Sequence, residues 1–208
     1  MVAVLLIAGN YVREQRWVLI GLALYPPGMA LLLRAFDADL SASDLLVFIQ
    51  QQASFAVLFA VVFAAAAIHQ DRRSRRILSI LSKSIRRSQY IAGILLGVWS
   101  FIAIYDASAI LTLQLVAPTS AAYGLKLLVP AYFAAVASSA TTILFTTFLP
   151  PFFATIVAGV VLGLPAILDI FHVHTPVYVS PSYFLLLDLT VGREHMFRPD
   201  LLLYALAH

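Results

Sequence analysis

The chain contains no cysteine, which excludes disulfides, thiol nucleophiles and cysteine-held metals, and leaves its redox compartment unread. Charge is almost as scarce. Asp, Glu, Lys and Arg make up 11% of the 208 residues, against roughly a quarter in soluble domains. Nowhere is there a G-x-x-x-x-G-K-[ST] run, so this chain does not cradle ATP phosphates in the P-loop manner. No histidine falls mid-span, and the only mid-span acid is Asp106, so an intramembrane protease would lack its nucleophile, base or metal ligands. The basic residues are not interleaved with aromatics as nucleic-acid binding would require.

What is present is apolar: 62% hydrophobic residues and a mean hydropathy of +0.95. Crossing a bilayer core about 30 Å thick takes about 20 helical residues. The chain therefore reads as all-α, a polytopic membrane helical bundle forming a single transmembrane domain. Five complete spans are expected, at 17–33, 45–68, 90–116, 125–148 and 152–168, and Leu201 to His208 is the start of a sixth. Residues 1–16 lack the basic n-region and cleavage site of a signal peptide. With Tyr11, Arg13 and Arg16 they read as a retained interfacial helix. Pro26-Pro27 is expected to kink or break the first span. Ser138, Ser139, Thr141, Thr142, Thr146 and Thr147 offer the fourth span hydroxyls for bonds to neighbouring helices.

Nine basic residues, Arg13, Arg16 and seven between Arg72 and Arg87, fall on one side of this topology. The other side holds Arg34, Lys126, Arg193 and Arg198. The positive-inside rule makes the N-terminus and segment 70–89 cytoplasmic and the loop at 169–200 exterior, in a cytoplasmic (inner) membrane.

Within 70–89, Ile77, Leu78, Leu81 and Ile85 recur at helical spacing, while Arg72, Arg73, Arg76, Lys83 and Arg87 lie mostly on other faces. Such a helix can lie on the bilayer or dock into a cleft on a soluble partner. The run from Asp71 through Leu81-Ser82 and Arg87 to Tyr90 and Gly93 resembles the cytoplasmic signature of type-2 ABC exporter permeases. Arg75, Ser84 and Ile94 stand where that pattern favours glycine, proline and lysine. The resemblance implies a permease subunit whose coupling element comprises Asp71, Arg76, Ile77, Leu78, Leu81, Ser82, Ile85, Arg87, Tyr90 and Gly93. It also implies a separate ABC ATPase subunit carrying ATP and Mg, and a second permease subunit, identical or homologous, in the same lipid bilayer. This chain would itself be no enzyme and hold no cofactor. A non-transporting structural subunit of a larger complex, or a proton-coupled carrier using Asp106, are the competing readings.

Asp106 is the most informative single residue. A mid-span charge costs from about 2.5 to above 10 kcal/mol, so it must be protonated, paired or facing a polar cavity. As a functional group it would be a substrate or proton site. As a structural one it would be hydrogen-bonded to fourth-span hydroxyls or to Gln50 to Gln52. Gln114, Ser138, Ser139 and Thr142 join it as translocation-pathway candidates. His172 and His174, with His195 beyond, lack a fixed third ligand, and no metal is assigned. Gly159 and Gly163 form a G-x-x-x-G expected to let helices of one subunit approach.

Overall fold

The computed structural model describes residues 2–36, 42–73, 86–118 and 121–170. All the secondary structure among them is helical: α1 (Val2–Glu14), α2 (Arg16–Phe36), α3 (Ala42–Arg73), α4 (Arg87–Val116), α5 (Ala121–Phe148) and α6 (Pro151–Ile170). Four segments are long and apolar enough to cross a membrane: Arg16–Phe36, Val47–His69, Arg87–Val116 and Gly124–Phe148. Of the fifth expected span, the side chains are described only through Val161. Leu201 to His208 and the expected exterior loop, with His172, His174 and His195, lie outside the described residues.

Small residues decide the packing. Ala53, Ala56, Ala60 and Ala64 of α3 and Ala131, Ala134, Ala135 and Ser138 of α5 are all at most 1% exposed. α3 and α5 make the most extensive helix contact in the bundle. In lipid no hydrophobic drive separates one helix from the next, so close backbone approach through such residues supplies the dispersion contact that holds them. Ile49 near Gly124, and Ala64 and Ala67 clustered with Ile143, set these two helices parallel. α4 runs against both: Tyr105 meets Gln52 of α3, and Trp99 meets Ser139 of α5. α6 covers α3 and α5, burying Ala154 and Ala158.

α1 and α2 form a nearly continuous rod. Gln15 separates them by assignment, yet helical bonds cross the junction, Gln15 N–H to Tyr11 O at 3.2 Å and Leu19 N–H to Gln15 O at 3.0 Å. The rod lies along α4, with α1 on its first half. A Cβ added to Gly93 would sit 2.7 Å from Ile7 Cβ, and one added to Gly97 would sit 2.7 Å from the Tyr11 ring. The helix expected at an interface is thus docked on α4, and a G-x-x-x-G at 93 and 97 makes the room. At Gly159, part of the pair expected to serve helix packing, an added Cβ would meet nothing within 4 Å.

Pro26 and Pro27 do not break α2, which runs unbroken from Arg16 to Phe36. Pro27 cannot donate to the carbonyl of Ala23, four residues earlier. Ser108 of α4 takes its place, its Oγ–H donating to Ala23 O at 2.5 Å. A hydroxyl from a neighbouring helix is one way a membrane bundle tolerates proline within a span. Pro151 occupies the first turn of α6, where a missing N–H is harmless. There Pro150 O accepts from Ala154 N–H at 2.9 Å.

Candidate functional site

The middle of α4 carries the candidate site. Trp99, Asp106 and Leu113 recur at seven-residue spacing, two helical turns apart, and so share one face. Trp99 Nε1–H donates to Ser139 Oγ at 3.0 Å, and Leu113 packs under Gly124, so that face looks onto α5. Asp106 is 6% exposed, and neither carboxylate oxygen has a hydrogen-bond partner. Tyr105 and Tyr132 lie within electrostatic reach of it. Neither of the partners expected for a structural acid is engaged. Gln52 accepts from the Tyr105 hydroxyl through Oε1, and its Nε2, like Ser138 Oγ, is buried without a partner. Three helices thus each bring an unsatisfied polar group to the interior: Gln52 from α3, Asp106 from α4 and Ser138 from α5.

The remaining pathway candidates divide. Ser139 receives the Trp99 indole and donates to Val136 O at 2.8 Å, while Thr142 donates to Ser138 O at 2.8 Å. Gln114 is exposed, away from Asp106. The expected cross-helix bonds of the hydroxyl-rich α5 are thus realised at Ser139. Thr141, Thr142, Thr146 and Thr147 each donate to a carbonyl of their own helix, three or four residues back. That short-range bond satisfies a hydroxyl without any neighbour, which is why it competes successfully.

Beside the acid stands an aromatic ladder. Phe55, Phe59 and Phe63 stack along α3, with centroids 5.9 and 6.1 Å apart. Edge contacts join Phe59 to Tyr105 at 5.5 Å and Phe55 to Tyr25 at 5.6 Å. The ladder continues from Phe63 to Phe101, and from there to Tyr11 of α1, each at 5.6 Å. The i, i+4, i+8 spacing in "FAVLFAVVF" was the sequence signal for it, hidden because phenylalanine in a span ordinarily reads as bulk apolar surface.

Of the coupling residues, Arg76, Ile77, Leu78, Leu81, Ser82 and Ile85 lie outside the described residues. Asp71 falls within the last turn of α3, its side chain likewise outside them. Arg87 opens α4 and is exposed. Just before it, Arg86 N–H donates to the Gln89 side chain at 3.2 Å, closing the first turn. Tyr90 and Gly93 are buried. Tyr90 packs with Ala67 and Ile68 of α3, and Gly93 lies beneath Ile7 of α1.

No protein-family model matches the chain, and neither the curated proteins nor the solved structures provide a match.

Proposed function

We propose that this chain is the membrane-spanning permease subunit of an ATP-driven ABC transporter of the exporter type, with segment 70–89 as its ATPase-coupling element. The observation that carries the reading is the basic amphipathic run joining α3 to α4, with the Asp71, Leu81-Ser82, Arg87, Gly93 spacing. In support, His69 of α3 lies beside the Leu149–Pro151 reversal between α5 and α6, so both connections fall at one end of the bundle, as a cytoplasmic face requires. ATP and Mg belong to the partner ATPase. A second permease subunit completes the pathway, five complete spans and the start of a sixth lie in this chain, and the N-terminus is cytoplasmic. Asp106, with the buried Gln52 and Ser138, is the polar element of the translocation route.

A second reading, a non-transporting subunit anchored in a larger complex, is favoured by Tyr90 and Gly93, which serve packing within this chain. Copurification separates the two. Charge reversal at Arg76 and Arg87 is expected to release the ATPase while leaving the chain inserted, and Ile77→Asp or Leu81→Asp to do the same. An ATPase that stays bound through both sets of changes removes the coupling assignment.

A further inference from the structure

A cleft of about 390 Å³ lies between the end of α3 and the start of α6, walled by Val62, Ala66, His69, Pro151, Phe152 and Thr155. A second hollow of about 340 Å³ shares Ala65, His69 and Pro151 with it and extends toward the Leu149–Pro150 turn. Val62, Ala66, His69 and Phe152 are exposed, so the cleft opens on the outer surface of the bundle. Its walls are chemically graded. Val62, Ala66 and Phe152 are apolar, and the Thr155 hydroxyl is turned back onto Pro151 O at 2.9 Å. His69 closes the slot at the point where the apolar segment of α3 ends.

Beyond His69 the charge changes abruptly. The α3 backbone stays helical to Arg73, which places positions 72 and 73 one turn further along the same side of the helix. They begin the run of seven Lys and Arg that ends at Arg87. The N-terminus of α6 adds the positive end of its backbone dipole beside the cleft. An apolar slot leading to an imidazole N–H and then to two arginine positions matches the order of groups along an anionic amphiphile. Basic pockets between spans recognise such headgroups.

We propose that this cleft binds one anionic phospholipid, its acyl chain along Val62, Ala66 and Phe152 and its phosphate at His69, at the end of α3 where the basic run begins. A neutral imidazole is sufficient, because its remaining N–H donates to a phosphate oxygen. The assignment is independent of the transporter reading, since it concerns what sits on the outside of the bundle.

The test uses the whole chain in nanodiscs of equal parts phosphatidylglycerol and phosphatidylcholine, followed by native mass spectrometry of the lipid retained. One phosphatidylglycerol is expected to stay with each chain in preference to phosphatidylcholine. Ala66→Trp, which fills the slot from an exposed position, is expected to remove it, whereas Leu111→Trp, on the exposed side of α4, leaves it in place. His69→Glu sets a carboxylate against the phosphate and is expected to lower the preference about fivefold, the equivalent of one cation at an anionic surface. Equal retention of the two lipids, or undiminished phosphatidylglycerol in both the Ala66→Trp and His69→Glu chains, overturns the proposal. Displacement of the lipid by glycerol phosphate alone also overturns it, because the slot would then contribute nothing.

Discussion

Ser108 of α4 donates its hydroxyl hydrogen to the carbonyl of Ala23 in α2, the acceptor that Pro27 leaves without an N–H. The two residues are far apart in sequence, and neither makes sense alone. Pro27 opens a polar gap at Ala23, and the serine closes it.

Removing that hydroxyl should cost what cross-helix hydrogen bonds cost in membrane bundles. Ser108→Ala is expected to lower stability by about 0.6 to 1.7 kcal/mol in mixed-micelle unfolding. In a Pro27→Ala background the restored backbone N–H serves Ala23, and the same change should then cost almost nothing. A double-mutant cycle reads the difference directly.

The glycine pairs give opposite expectations. Gly97→Val drives a side chain into Tyr11 and should destabilise the fold by about 1 to 3 kcal/mol, the usual penalty for overpacking. Gly159→Val enters open space in this chain and should leave unfolding unchanged.

How much of this was legible beforehand divides along a physical line. Apolar run length is a local property, and the expected spans at 45–68 and 125–148 lie within helices Ala42–Arg73 and Ala121–Phe148. Helix ends were less legible, because α3 carries its backbone bonds on through His69 to Arg73 after the apolar run has stopped. The carbonyl that Pro27 leaves open in α2 is satisfied by Ser108, a non-local partner that no window around the prolines contains. The same holds for the glycines. Two G-x-x-x-G pairs look alike in the sequence, and only the neighbouring helices show that Gly93 and Gly97 pack against α1 while Gly159 faces open space. For the candidate site, the burial of Asp106 followed from its place in an apolar run. Its want of a partner did not, because that depends on which side chains of the neighbouring helices come within reach of it.

Asp106 should show the signature of a group kept for activity at the expense of stability. A buried polar group without a partner costs about 1 to 3 kcal/mol, so Asp106→Leu is expected to stabilise the bundle by a similar amount. Under the proposed transporter reading, the same change should abolish substrate-stimulated ATP hydrolysis in the complex reconstituted with its ATPase. A loss of stability together with unchanged turnover would mark the aspartate as structural.

Tyr105→Phe removes the only donor that reaches Gln52 Oε1 among the described residues, leaving the whole amide unsatisfied. A loss of about 1 to 3 kcal/mol is expected. Adding Gln52→Leu should recover most of it, since both ends of the bond are then apolar. Unfolding midpoints of the three variants measure the recovery.

The seat of α1 on Gly93 and Gly97 also sets an order of events during synthesis. Ile7 leaves the ribosome about 86 residues before Gly93, and at roughly 5 to 20 residues per second its partner follows some 4 to 17 s later. For that interval the N-terminal helix has no protein surface to bury against α4. A nascent chain halted before Gly97 would present Ile7 and Tyr11 to lipid or to the insertion machinery, so α1 has to wait for α4 before it is locked in place.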